Sequence, residues 1–162
     1  MGREIERKFL VEGEFRKDAF QKKRITQGYF STSPGRTVRI RISDDKGFIT
    51  IKGGVHKSGA GRYEWEMEIE LDDAQDLMGL CDAGVIEKAR YLIKCGNHTF
   101  EVDEFYGDND GLVVAEVELE SPDEQIKTPE WLGREVTHDN RFFNAALARN
   151  PYKNWEEGGC PS

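Results

Sequence analysis

Apolar and polar residues alternate with a period of two along most of this chain. Val38, Ile40 and Ile42 alternate with Arg39 and Arg41; Ile49 and Ile51 with Thr50 and Lys52; Trp65, Met67 and Ile69 with Glu64, Glu66 and Glu68. The pattern returns where Phe100 and Val102 flank Glu101 and where Val117 and Leu119 separate Glu116, Glu118 and Glu120; Lys88 and Arg90 fit it less cleanly. A period of two is that of a strand with two unlike faces. It predicts strands over residues 3–11, 25–31, 37–43, 48–52, 63–71, 86–94, 99–105 and 112–120, with a hairpin at Asp44-Asp45-Lys46-Gly47. Helices are expected over 14–23, where Phe15, Ala19 and Phe20 form an apolar stripe, from a cap at Asp72 and Asp73 to about 80, and over 139–148, with helical turns near 121–126. The four glycines of the loop 53–61, with Lys57 and Ser58, make it a candidate lid. One domain over 1–155 and a frayed tail at 156–162 complete the organisation.

At the start of the chain Glu4, Glu6 and Lys8 share one face of a strand, and Ile5, Arg7 and Phe9 the other. The charged faces of the predicted strands admit two readings. An antiparallel sheet can bury its apolar face and leave its charges in water. A solvated face, however, usually mixes serine, threonine, glutamine and lysine, whereas these strands are nearly pure acid or pure base. Like charges two residues apart repel unless opposite charge lies between them. The favoured reading is a mostly antiparallel α+β fold: a closed or nearly closed β-barrel, its apolar face outward beneath flanking helices and its charges lining a water-filled tunnel.

Composition narrows the function. The 162 residues include 37% hydrophobic and 33% charged ones, with nine Phe, five Tyr and three Trp, which suits a folded domain with a real core. A net charge of −8 argues against nucleic acid, whose phosphates require a basic surplus. Cys81, Cys95 and Cys160 are odd in number and lack C-x-x-C spacing, as expected of reduced thiols in a cytoplasmic protein. No apolar run is long enough to span a bilayer, so no membrane partner is expected. His56, His98 and His138 stand apart in polar surroundings and are read as solvated or structural.

The charged faces themselves suggest a ligand. The basic set is Lys8, Arg39, Arg41, Lys52, Lys88 and Arg90; the larger acidic set is Glu4, Glu6, Glu64, Glu66, Glu68, Glu101, Asp103, Glu116, Glu118 and Glu120. Two like charges about 4 Å apart repel by roughly 4 kcal/mol at an effective dielectric near 20, so clustered carboxylates must take up protons or cations. Oxygen-only ligands suit Mg²⁺ or Mn²⁺, which accept phosphate oxygens as further ligands. Guanidinium and ammonium groups suit a polyanion. A metal-bridged small polyphosphate accounts for both sets.

The run Glu4-x-Glu6-x-Lys8, followed in order by Arg39-x-Arg41, Thr50-x-Lys52, Glu64-x-Glu66, Lys88-x-Arg90, Glu101-x-Asp103 and Glu116-x-Glu118, resembles the CYTH superfamily, the triphosphate tunnel metalloenzymes. The segment 131–137 with Asp139 and Arg141 resembles its small bacterial members. The resemblance implies an eight-stranded tunnel, a triphosphate held by the basic residues, and Mg²⁺ or Mn²⁺ held principally by Glu4, Glu6, Glu116 and Glu118. Glu64, Glu66 and Asp103 would complete a second metal site or hold basic residues in place, and Arg141 would close over the mouth or form a surface salt bridge. The expected activity is hydrolysis of inorganic triphosphate, one metal bridging the phosphates and a second activating water, with nucleoside triphosphates as possible further substrates. A class IV adenylate cyclase, a thiamine triphosphatase and a non-catalytic polyphosphate-binding module stay open, as do a monomer and a homodimer.

Overall fold

The computed structural model describes residues 2–55, 57, 59 and 61–155. The chain forms β1 (Gly2–Glu4), β2 (Glu6–Val11), β3 (Gln21–Phe30), β4 (Arg36–Ser43), β5 (Lys46–Gly53), β6 (Arg62–Ile69), α1 (Leu71–Met78), β7 (Val85–Cys95), β8 (His98–Phe105), β9 (Val113–Glu118), β10 (Leu132–Glu135) and α2 (Asn144–Arg149). The described strands make one ten-stranded sheet in the order β1-β6-β5-β4-β3-β7-β8-β9-β2-β10. Every pairing is antiparallel. Ten replaces the expected eight for two reasons. The first strand is interrupted at Ile5, and the short β10 pairs with β2 without any alternation in its sequence. Only Ile5 separates β1, at one end of the sheet, from β2, next to the other end.

Register gives the two faces their character, because directly opposed residues in antiparallel strands point the same way. Across one face run Lys52 opposite Glu64, Arg39 opposite Thr50, Gln27 opposite Arg41, Arg90 opposite Asp103, and Lys8 opposite Glu116. The other face of β2, β7, β8 and β9 presents Phe9, Ala89, Tyr91, Ile93, Phe100, Val102, Ala115 and Val117, all buried. Phe15 and Trp131 cover it from outside the sheet, edge-on to Tyr91 at 5.2 Å and to Phe100 at 5.6 Å. Full burial of such a ring is worth ~1.5–3 kcal/mol. α1 covers β4 and β5: Ala74 and Ile40 are fully buried, and a Cβ placed on Gly47 would lie 2.5 Å from that of Ala74. The covering stops there. Ile51, Trp65 and Met67, on the same side of β5 and β6, are 42%, 39% and 50% exposed.

A second apolar cluster, including Tyr29, Ile86, Phe105, Val114, Phe142 and Leu147, fills one end of the charged face. α2 and the 3-10 turn Asn140–Phe142 deliver its last two members, and this is what places the C-terminal segment against the site.

Four helical expectations change. Residues 14–23 hold only a 3-10 turn, Arg16–Asp18, because Phe20 donates its N–H to the Leu92 carbonyl and the next residues pair with β7. Phe15 is buried while Phe20 is 56% exposed, so the stripe never shares a face. The helix at 71–78 starts before Asp72 and Asp73, which occupy its first turn, where the positive end of the helix dipole favours them, and do not cap it. At 121–126 the Glu124 carboxylate accepts from the Glu120 N–H, fixing a turn in place of helix. Within 139–148 Phe143 is extended, and it divides the 3-10 turn from α2. The expected tail at 156–162, and with it Cys160, lies outside the described residues, as do His56, Ser58 and residue 60 of the expected lid. Among the described residues no helix is long and apolar enough to cross a membrane.

Candidate active site

The charged face surrounds a cavity of about 670 Å³. Its walls include Lys8 from β2, Arg39 and Arg41 from β4, Lys52 from β5 and Lys88 and Arg90 from β7, so all six basic residues singled out in the sequence converge on it. Glu4, Glu6 and Glu116 line the same space. A second cavity of about 450 Å³ shares Arg41 and Arg90 with the first and is bordered by Glu66 and Glu101. Val55, Gly59 and Gly61, from the glycine-rich stretch, border the larger cavity.

The cations are held in place by different means. Lys8 reaches Glu116 at 3.0 Å and donates to the Phe142 carbonyl at 3.3 Å, with its ammonium 4.9 Å from the centre of the Phe143 ring. Lys52 bonds Glu4 at 2.6 Å and lies 3.5 Å from Glu64. Beneath the cavity Asp103, buried, accepts two bonds from Arg90 at 2.8 and 2.9 Å and one ion pair from Lys88 at 2.7 Å. Arg90 also touches Glu101 at 3.2 Å. Arg39 and Arg41 differ: their guanidiniums meet the neutral oxygens of Thr50 and Gln27, and among the described residues no carboxylate bonds either one. Among the described residues Arg39 Nε is buried without a hydrogen-bond partner. A buried donor without an acceptor costs ~1–3 kcal/mol, and an anion in the cavity would remove that cost.

Titration follows this layout. Burial pushes Lys88 down to about 7 despite the pull of Asp103, and repulsion from Arg90 and Arg41 adds to the fall. Burial and the neighbouring Arg39 and Arg90 likewise push the Arg41 guanidinium below its ordinary range. On the acidic side burial would raise Glu4 and Glu116, but Lys52 holds the first below its usual range and Lys8, with Arg90 and Lys88, holds the second far below it. For Glu6 the counterweight, Lys8, is outweighed. Burial, then Glu116 and Glu4, push its carboxyl up to about 9. Glu118, directly across the ladder from Glu6, is raised by burial and by Glu4 and Glu101, and Glu64 by burial and its hydrogen bond to Glu4. The acids are therefore in surplus at the β1–β2–β9 side of the cavity, and the bases at the β4–β7 side.

A model of the CYTH domain matches residues 2–144. The chain belongs to the CYTH family. It is 44% identical to an inorganic triphosphatase of Acetivibrio thermocellus over 97% of this chain and all of that one, and 35% identical to an inorganic triphosphatase of Nitrosomonas europaea over 90% and 96%. The crystal structure of the inorganic triphosphatase NE1496 superposes with a TM-score of 0.67 at 33% identity, covering 92% of this chain and 96% of that one.

Within this CYTH domain some of the sequence-derived site residues stand off the main cavity. Asp103 sits under Lys88 and Arg90, holding basic residues in place. Glu66 faces the second cavity, and Glu64 backs Lys52. Arg141 is bonded to Asp139 at 2.7 Å and stacks on the Trp155 ring at 4.9 Å, and it is not among the described residues that line the cavity. Other participants escaped the sequence reading. Gln27, on β3, accepts from Arg41 at 3.0 and 2.9 Å; Asn144, at the start of α2, accepts from Lys88 at 2.7 Å. The one signal Gln27 carries is its parity, which puts it on the same face of β3 as Ile25 and Tyr29. Asn144 carries none. His138, read as solvated or structural, also borders the cavity.

Proposed function

We propose that this CYTH protein is a metal-dependent inorganic triphosphatase. The observation that carries the reading is the pair Arg39 and Arg41: a buried and a half-buried guanidinium without carboxylate partners among the described residues, the first with an orphaned Nε, facing a cavity that Lys8, Lys52, Lys88 and Arg90 also line. A fully ionised triphosphate supplies the missing acceptor, and among the described residues no protein group bonds the Arg39 Nε. The two inorganic triphosphatases that resemble this chain over nearly its whole length support the same substrate. Continuity of β6, β1, β2 and β9 through Ile5 supports a sheet that closes into a tunnel, so that the substrate is enclosed by charge on all sides.

The donor set fits a hard divalent cation. Among the described residues no three potential ligands form a ready-made cluster, since Glu4 is engaged by Lys52 and Glu116 by Lys8. Glu6 nevertheless carries more negative charge around it than its neighbours neutralise, and the like-charged pair Glu6 and Glu118 faces across the ladder. Such a pair is destabilising without a cation. We assign Mg²⁺ or Mn²⁺ to Glu4, Glu6, Glu116 and Glu118. When bound, the ion supplies Lewis-acid polarisation of phosphate oxygens and charge neutralisation.

The chain's own residues do the rest. Arg39 and Arg41 present planar forks to phosphate oxygens, Lys8 and Lys52 supply point charges at the acidic end, and Lys88 and Arg90, fixed from below by Asp103, meet charge that builds on the departing phosphate. Since their positions are set before substrate arrives, little reorganisation accompanies the transition state. Phosphate release from inorganic triphosphate, ATP and thiamine triphosphate measured side by side with Mg²⁺ or Mn²⁺ tests the reading. Preference for inorganic triphosphate supports it; preference for thiamine triphosphate, cyclic nucleotide formation from ATP, or binding without turnover would each replace it.

A further inference from the structure

Three of the basic residues that face the cavity are tied to a segment of only three residues. The Phe142 carbonyl accepts from Lys8, the Phe143 ring lies against the Lys8 ammonium, and the Asn144 Oδ1 accepts from Lys88 at 2.7 Å and from Gln27 Nε2 at 3.0 Å. Gln27 in turn uses its own oxygen to accept twice from Arg41, while its nitrogen also reaches the Tyr29 hydroxyl at 2.6 Å. The result is a relay of neutral amides, Arg41 to Gln27 to Asn144 to Lys88, continued by Asp103 to Arg90. It spans β4, β3, α2, β7 and β8.

We infer that Asn144 is a positioning residue for triphosphate hydrolysis, fixing Lys88 directly and Arg41 through Gln27. The inference rests on the function proposed above. A neutral carboxamide suits the task. Lys88 and Arg41 repel each other and need acceptors, yet a second carboxylate beside Asp103 would cancel the positive charge that the substrate requires. Gln27 is fully buried and oriented at both ends: its oxygen is committed to Arg41, so its nitrogen must point at acceptors, and Asn144 supplies one. Because α2 follows the extended Phe143 with Leu147 buried in the second apolar cluster, Asn144 cannot retreat without unseating that helix. The acceptor is therefore rigid, as positioning requires.

Asn144→Ala should lower kcat/KM for inorganic triphosphate about 10- to 100-fold, with the larger part in kcat and with folded near-UV circular dichroism retained. Gln27→Ala should do nearly the same, and the double variant should be no more than about threefold worse than the poorer single variant, since both break one relay. Asn144→Asp keeps both acceptor positions and adds charge; it should hold kcat within about tenfold of wild type while raising KM, and it carries the test should the alanine variant not fold. Asn144→Ala within twofold of wild type, single losses that multiply in the double variant, or a collapse of kcat in Asn144→Asp would overturn the positioning role while leaving the triphosphatase reading intact. A wild-type protein that neither binds nor hydrolyses inorganic triphosphate in the same assays would overturn both.

Discussion

Asp103→Asn separates the two roles open to this residue, cation holder or metal ligand. The carboxylate is buried and serves Arg90 bidentately and Lys88 once, at 2.7 to 2.9 Å. Replacing it with a neutral amide of the same shape leaves two buried cations short of charge, a change that typically costs 3–5 kcal/mol. Lys88, already pushed down to about 7, can shed its proton, but Arg90 cannot, and Glu101 remains near it at 3.2 Å. The lower end of that range, about 3 kcal/mol, is therefore expected. At ~2–4 °C per kcal/mol for a chain of this length, the melting midpoint should fall by roughly 6–12 °C. The assay is thermal unfolding in excess EDTA, where metal ligation contributes nothing. A midpoint within 2 °C of wild type in EDTA, together with loss of any stabilisation by Mg²⁺, would refute the cation-holding role and restore Asp103 to a metal site.

Three further outcomes are expected. Arg39→Ala should weaken inorganic triphosphate by roughly 10- to 150-fold, the worth of one charge-assisted contact at ~1.5–3 kcal/mol, with little change in the Mg²⁺ requirement, whereas Glu116→Gln should raise the Mg²⁺ requirement more than KM; steady-state titrations of both ligands check the ordering. Glu6, raised to about 9 in the folded protein, favours folding only while protonated, so its contribution is complete below an unfolded value near 4.5 and is lost as pH rises toward 9; in metal-free melts Glu6→Gln should flatten that part of the profile, and Mg²⁺ added at pH 7 should release protons detectable from the buffer dependence of the binding heat. Gly47→Ala should destabilise by about 1–3 kcal/mol, seen in urea melts, because its Cβ would meet Ala74 at 2.5 Å beneath α1.

Much of this was legible in the residues because period-two alternation is a local property that survives into the sheet. Arg39, Arg41, Lys52 and Glu116 could be assigned to one face before their strands were paired, and the register then set Lys52 opposite Glu64 and Lys8 opposite Glu116, the opposite-sign neighbours that charged strands require. What failed depended on long-range pairing. Residues 21–24 are four polar residues with no alternation, and they are strand only because β7 is already there to receive them. β10 takes its conformation from β2 in the same way. Asp103 was ambiguous because its neighbours along the chain do not reveal that Lys88 and Arg90 lie directly above it. Asn144 was invisible for a related reason: it fell inside the helix expected over 139–148, and its meaning comes from Lys88 and Gln27, which are 56 and 117 residues away.

The most direct test of the central claim is phosphate release from inorganic triphosphate by the purified protein as Mg²⁺ is titrated from excess EDTA upward. Turnover that is absent in EDTA and rises to saturation with Mg²⁺ or Mn²⁺ is the expected result. Release at the full rate in EDTA would contradict the metal assignment to Glu4, Glu6, Glu116 and Glu118, and no release at any metal concentration would contradict the triphosphatase itself.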